Sequence, residues 1–393
     1  MKKLVALASF LVLSGSLGVA ALFASSAPSF AVARNYPAGR EPASVATGDL
    51  NGDGKPDLAT ANNAAGTASV LLNKGDGSFR AKRNYGTGRY SGSIAIGDLN
   101  GDGTPDLVTA NGIANTVSVL LNKGDGSFQA KLDYQTGREP ASVAIGDLNG
   151  DGKPDLATAN ANAAGTASVL LNKGDGSFQA KLDYRTGPVP FSVAIGDLNG
   201  DGKPDLATAN GVDANTVSVL ANKGDGSFQA RRDYRTGRSP VSVAIGDLNG
   251  DGKPDLATAN FDMSTVSVLL NRGDGSFPPK LDYGTGRGPT SVAIADLNGD
   301  GKPDLATANF NLAGTVSVLL NTPGLCTVQD VWGKTLPAAK RTIVRANCRV
   351  GKIRRAYSRL KKGCVISEKP KPGTVLPNGA KVNLVVSRGR MPS

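Results

Sequence analysis

From Ser29 to Asn321 the apolar residues come in short alternating bursts, cut apart by clusters of Gly, Asp and Asn. Residues 142–187, SVAIGDLNGDGKPDLATANANAAGTASVLLNKGDGSFQAKLDYRTG, contain one full set. SVAIG (142–146) and TASVLLN (166–172) alternate small or polar residues with branched ones, the two-residue period of a strand. DLATAN (155–160) follows an acidic stretch, and FQAKLDY (178–184) follows NKGDGS, whose glycines and Asp suit a hairpin that needs positive φ. These are four strand candidates, and the set returns along the chain about every 50 residues, as propeller blades do.

The acidic stretch DLNGDGKPD occurs at residues 49, 147, 197, 247 and 296, and at 98 with Thr104 in place of Lys. Six stretches predict six blades, but the sixth set stops after TVSVLLN (315–321). The missing strand stands at the other end of the chain. SFAVARNYPAGREPASVA from Ser29 aligns with SFQAKLDYQTGREPASVA from Ser127. Residues 29–38 therefore read as an orphan fourth strand that pairs beside 315–321, closes the ring and removes two exposed sheet edges. An open solenoid would not need such a permuted half-unit. The expected fold is all-β, a six-bladed β-propeller closed by an N-terminal strand, with a small α+β domain after it.

With D-x-N-G-D-G-x-P-D and NKGDGSF repeated in this way, residues 29–321 resemble the FG-GAP/VCBS repeats of integrin-type β-propellers. The resemblance implies calcium. Side-chain oxygens at positions 1, 3, 5 and 9 would come from Asp49, Asn51, Asp53 and Asp57, with the Lys55 carbonyl at position 7. The corresponding sets are Asp98, Asn100, Asp102, Thr104 and Asp106; Asp147, Asn149, Asp151, Lys153 and Asp155; Asp197, Asn199, Asp201, Lys203 and Asp205; Asp247, Asn249, Asp251, Lys253 and Asp255; and Asp296, Asn298, Asp300, Lys302 and Asp304. Gly52 and Gly54 permit the tight wrap, and three carboxylates held together repel one another without a cation. The bland reading is an Asx-turn loop that holds no ion; magnesium fits less well, since it keeps more of its water.

Histidine is absent, which removes the usual general base near pH 7 and the usual zinc ligand. No nucleophile elbow is present, and the Asp clusters already serve the ion, so a non-enzyme is expected. A polysaccharide-acting enzyme, a lectin-like carbohydrate binder and a structural spacer stand as alternatives. The N-terminus, Lys2 and Lys3 followed by an apolar run from Leu4 to Ala24, is a secretory signal pattern, here taken as 1–26. The chain then reads as propeller (27–321), linker (322–325) and basic domain (326–393), in a secreted or wall-associated protein with no membrane span after cleavage.

Charge divides the chain the same way. Residues 325–393 hold 16 Lys+Arg against 2 Asp+Glu, while the rest holds 28 against 31. The G-x-x-L-x-x-A pattern and SEKPKPGTVLPNGAKVNLVVSRG resemble a PASTA domain, known on penicillin-binding proteins and bacterial Ser/Thr kinases. That implies peptidoglycan as a partner, and the charge adds anionic wall polymers; nucleic acid is a poor partner for an exported chain. A helix is expected at 335–347 and a strand at KVNLVVS. Of Cys326, Cys348 and Cys364, the first two are the preferred disulfide pair. Three surface features remain: interblade Arg40, Arg89, Arg138, Arg238 and Arg287; an Arg272-Gly273-Asp274 hairpin tip; and variable turns between second and third strands, the expected place for an unknown protein or glycan ligand.

Overall fold

The computed structural model describes residues 34–310, 314–321, 326–376 and 380–391. The expected signal segment, residues 29–33 of the closing strand and the linker 322–325 lie outside them. The chain divides into two units, Met1–Val318 and Leu319–Ser393.

The first unit is a series of antiparallel sheets in chain order. The first sheet holds β1 (Pro42–Gly48), β2 (Asp57–Asn62), β3 (Thr67–Leu71) and β4 (Arg83–Gly86) side by side. The second holds β5 (Ser91–Gly97), β6 (Asp106–Asn111), β7 (Thr116–Leu120) and β8 (Leu132–Gln135). The third holds β9 (Pro140–Gly146), β10 (Asp155–Asn160), β11 (Thr166–Leu170) and β12 (Leu182–Arg185). The fourth and fifth repeat this with β13 (Pro190–Gly196), β14 (Asp205–Asn210), β15 (Thr216–Leu220), β16 (Arg232–Arg235), β17 (Pro240–Gly246), β18 (Asp255–Asn260), β19 (Thr265–Leu269) and β20 (Leu281–Gly284). The sixth has three strands, β21 (Pro289–Ala295), β22 (Asp304–Asn309) and β23 (Thr315–Leu319). The expected fourth strand, 178–184, is shorter than read: Phe178 forms a lone bridge to Asn172 and regular pairing begins at Leu182.

Second strands such as β10 are buried along their whole length, because a neighbouring sheet lies on either side. Their Ala and Thr side chains let the sheets close up. The first strand of each sheet packs on that of the next, from β1 on β5 to β17 on β21. Val108, Ala110, Val117 and Val119 of the second sheet thus meet Val143, Leu156, Leu170 and Phe178 of the third. Each Val, Leu or Phe side chain so buried contributes about 1.5–3 kcal/mol.

At the two ends of the series the same faces are bare. Val117 and Val119 are 0% exposed, whereas their counterparts Val316 and Val318 in β23 are 69% and 47% exposed. Val45 of β1 is 61% exposed against 6% for Val143. Among the described residues β23 has no fourth strand beside it, and ring closure is not seen. Tyr36 nevertheless stands where a preceding fourth strand would put it. Its ring meets Phe79 edge-on at 5.1 Å, as Tyr85 meets Phe128 at 5.1 Å and Tyr134 meets Phe178 at 5.2 Å. Its hydroxyl donates to the Gly77 carbonyl as that of Tyr134 does to Gly176.

The second unit has its own core. A short pair joins β24 (Cys326–Thr327), the helix α1 spans Leu336–Arg345, and β25 (Arg349–Ala356), β26 (Val365–Lys369), β27 (Val375–Leu376) and β28 (Lys381–Ser387) follow. β24 pairs β27; the other three form a sheet in the order β25-β28-β26, with β25 and β28 parallel. The helix is shorter than expected at its end, where Asn347 turns to φ 58°. Thr335 has the extended N-cap backbone but no capping side-chain bond. Cys364 is a free thiol and Cys348 is buried; the side chain of Cys326 lies outside the described residues.

Candidate metal centre

Each acidic loop joins a first strand to a second strand, and its oxygens are ordered by the loop's own amides. In the third sheet Asp147 Oδ1 accepts from Gly150 N (2.7 Å) and Asp151 N (3.2 Å), and Oδ2 accepts from Gly152 N (2.8 Å). Asn149 Oδ1 accepts from Asp151 N and Asp151 Oδ1 from Lys153 N, both at 3.0 Å. This Asx wrap needs positive φ at Gly150 (77°) and Gly152 (80°), which only glycine takes without strain. The Lys153 ammonium bridges the Lys173 carbonyl (3.2 Å) and Asp151 Oδ2 (3.7 Å), so the only oxygen this residue can offer an ion is its own carbonyl. Thr104 in the second loop instead donates its hydroxyl to Asp102.

The ninth-position aspartates are different. Asp57, Asp106, Asp155, Asp205, Asp255 and Asp304 are fully buried at the start of each second strand. Asp155 Oδ2 accepts from Leu148 N (2.9 Å) in its own loop and Oδ1 from Asn172 N (2.7 Å) at the root of the hairpin between third and fourth strands. It brackets loop and hairpin together. Asn172 then reaches into the preceding sheet, donating to Leu99 O and to Pro154 O, both at 2.8 Å. Asn122, Asn222 and Asn271 repeat this with Leu50, Leu148 and Leu198. The first four acidic loops are thus each pinned by the sheet that follows. Neither the bracket nor the tie was read from the sequence; an Asn before every KGD or RGD was the available signal.

Electrostatics separate the positions. Burial pushes Asp106 and Asp205 up to about 6, and the neighbouring loop carboxylates add to the rise. Asp57, Asp155 and Asp255 are raised for the same reasons. The amides of Gly54 and Gly301 hold half-buried Asp49 and exposed Asp296 below the usual carboxylate range. The donor set is oxygen only, three carboxylates, one amide and one carbonyl per loop, which suits a hard cation such as calcium. As the loops stand, no three Asp, Glu or Cys side chains converge as a cage among the described residues. Each bracketing oxygen retains a second lone pair.

The opposite end of the sheets carries the variable turns and the interblade connections. Arg40, Arg89, Arg138, Arg238 and Arg287 are all exposed there, and none has an ion pair among the described residues. Exposed Tyr90, Ile113, Val212, Met263 and Phe310 lie in the same loops. Asp274 of the RGD tip lies at the acidic-loop end, where its Oδ1 accepts from Ser276 N (3.0 Å) and Oγ (2.6 Å), as Asp225 does from Ser227. The tripeptide is therefore one more copy of the common hairpin.

The FG-GAP-like repeat pattern matches residues 49–109, 98–158, 147–208, 197–258 and 247–307, and the PASTA domain pattern matches residues 327–388. Among solved structures, the BBS1N chain crystallised with ARL6DN superposes with a TM-score of 0.50 at 13% identity, over 72% of this chain and 79% of that one. The V. cholerae biofilm matrix protein Bap1 gives 0.42 at 20% identity, over 66% of this chain and 42% of that one. At these identities the first likeness is one of fold alone.

Proposed function

From a chain that belongs to the FG-GAP-like repeat family and ends in a PASTA domain, we propose an exported, non-enzymatic β-propeller that calcium stabilises, that displays loops for adhesion or ligand capture, and that its basic domain holds at the bacterial cell wall. The carrying observation is the division of labour between the two ends of the sheets. Near-identical acidic loops occupy one end, and turns that differ in every repeat occupy the other. Calcium at the first end sets the scaffold; a protein or glycan ligand meets the second, where Tyr90, Met263 and Phe310 are exposed.

The six sheets close into a ring in this reading, with residues 29–38 as the fourth strand beside β23. Support comes from Tyr36, which makes the fourth-strand contact with Phe79, and from bare Val316, Val318 and Val45, which match the two halves of every internal interface. Cys326 pairs with Cys348, leaving Cys364 as the free thiol. Cosedimentation with purified bacterial walls tests the anchoring. The chain from residue 27 should pellet, and the chain cut at residue 324 should stay in solution, with and without EDTA. If the truncated chain pellets equally, the anchoring role of the basic domain is wrong.

A further inference from the structure

One face of the β25-β28-β26 sheet carries α1 and the core, and the other is cationic and, among the described residues of this unit, uncovered. Val382, Leu384 and Val386 of β28 point into the core with Ala339, Ile343 and Val365. Strand alternation then places Lys381, Asn383 and Val385 on the far side. The register sets Arg349 opposite Lys381, Arg354 opposite Val385, and Ser367 and Lys369 opposite Val385 and Asn383. Arg349, Arg354, Lys369 and Lys381 are exposed. No acid shares the face. The two acids of this region, Asp330 and Glu368, lie together on the other side, where Glu368 accepts from Val331 N and Asp330 from Trp332 N. No cation of this unit makes an ion pair among the described residues.

Like charges directly opposite on neighbouring strands repel, and here nothing in the unit offsets Arg349 against Lys381. Neighbouring strands lie about 4.8 Å apart and same-face residues about 6.6 Å along a strand, so the cations form a shallow grid and not a pocket. A grid of single charges suits a flexible polymer with single charges at intervals, and Arg forks grip phosphate oxygens in pairs. We propose that this face binds a linear phosphodiester polymer, laid across β25, β28 and β26, and that this is how the domain recognises the wall. The proposal rests on the wall-association reading and gives it a ligand class and a site.

The test uses the chain from residue 27 and purified poly(glycerol phosphate), with polygalacturonate as a carboxylate comparison, followed by fluorescence anisotropy over a salt series. Replacing Arg349, Arg354, Lys369 and Lys381 with Gln should weaken diester binding at least tenfold and flatten the salt dependence, by roughly 0.7 in the log–log slope per lost contact. The control, Gln at Lys334, Lys340, Arg341 and Lys371, should change it less than threefold. A single Lys381→Glu should raise the melting point of this unit, by turning a repulsive pair into an ion pair, and still lower affinity. Equal losses in both quadruple variants, or equal affinity for polygalacturonate, would overturn the site or its ligand class. Walls stripped of phosphodiesters with hydrofluoric acid separate the two readings. Retained pelleting on stripped walls keeps wall association and rejects the diester; pelleting lost on stripping supports both; no pelleting on either wall rejects both.

Discussion

Val189 sits at φ 50°, in the left-handed region, where a β-branched side chain crowds its own backbone. The equivalent interblade residues are Glu41, Tyr90, Glu139 and Ser239, also at positive φ, and in the last connection it is Gly288. The turn requires the conformation whatever residue occupies it. Val189→Gly should therefore stabilise the first unit by about 1 kcal/mol, seen as a higher urea midpoint with an unchanged slope; a lower midpoint would mean that the valine side chain contributes more than the strain it causes. The buried aspartates give a second residue-scale expectation. Asp106 and Asp205 are raised to about 6 in the folded chain against an ordinary value of 3.8. The folded state thus holds protons more tightly than the unfolded one. Their contribution is full below pH 4 and is lost as pH rises through 6. In EDTA the first unit should melt higher at pH 5 than at pH 7. With millimolar calcium the order should reverse, because the ion favours the carboxylate form. Melting curves at the two pH values, with and without calcium, decide it.

Between elements, the tie from Asn172 joins a hairpin to the acidic loop of the preceding sheet through Leu99 O and to its own sheet through Pro154 O. Asn172→Ala leaves two carbonyls without that donor in a buried setting and should cost about 2 kcal/mol. Among the described residues Asn73 shows the own-sheet half alone, to Pro56 O at 2.8 Å. In a closed ring its second acceptor would be Leu297 of the sixth sheet, so Asn73→Ala and Asn172→Ala should cost the same; if Asn73→Ala costs about 1 kcal/mol less, the ring is open at that seam. The strands were legible in sequence because a two-residue period with Gly-rich turns is local information. The loop wrap was legible too, since Asp147, Asn149 and Asp151 lie within five residues of each other. The tie was not, because its partners lie 73 residues apart and an Asn side chain carries no mark of which carbonyl it seeks. The ninth aspartate's second role, as a bracket, was not legible for the same reason. Spacing places it beside the loop, but only the fold shows Asn172 N and Leu148 N on its two oxygens.

At the scale of the molecule, the acidic loops and the basic face belong to different units with separate cores. Calcium should therefore act on one of them. Extracellular calcium modules bind at about 10⁻⁴–10⁻³ M, so millimolar calcium stabilises each site by roughly 1 kcal/mol, and the six sites together by about 6 kcal/mol if independent. For a unit of this size that is a rise of roughly 10 °C in melting temperature. The second unit has 2 acids and no acidic loop, so its transition should not move. Calorimetry of the chain from residue 27 should show two transitions, one that climbs with calcium and falls back in EDTA, and one that stays fixed. Magnesium at the same concentration should move the first less, because it surrenders its water reluctantly. Asp151→Asn should lower the calcium-dependent rise by about one sixth while leaving the EDTA curve nearly unchanged, since that side chain's amide contact to Lys153 N survives the change. Two transitions that both ignore calcium would reduce the acidic loops to Asx turns, and the propeller would then owe its order to the Asp brackets and Asn ties alone.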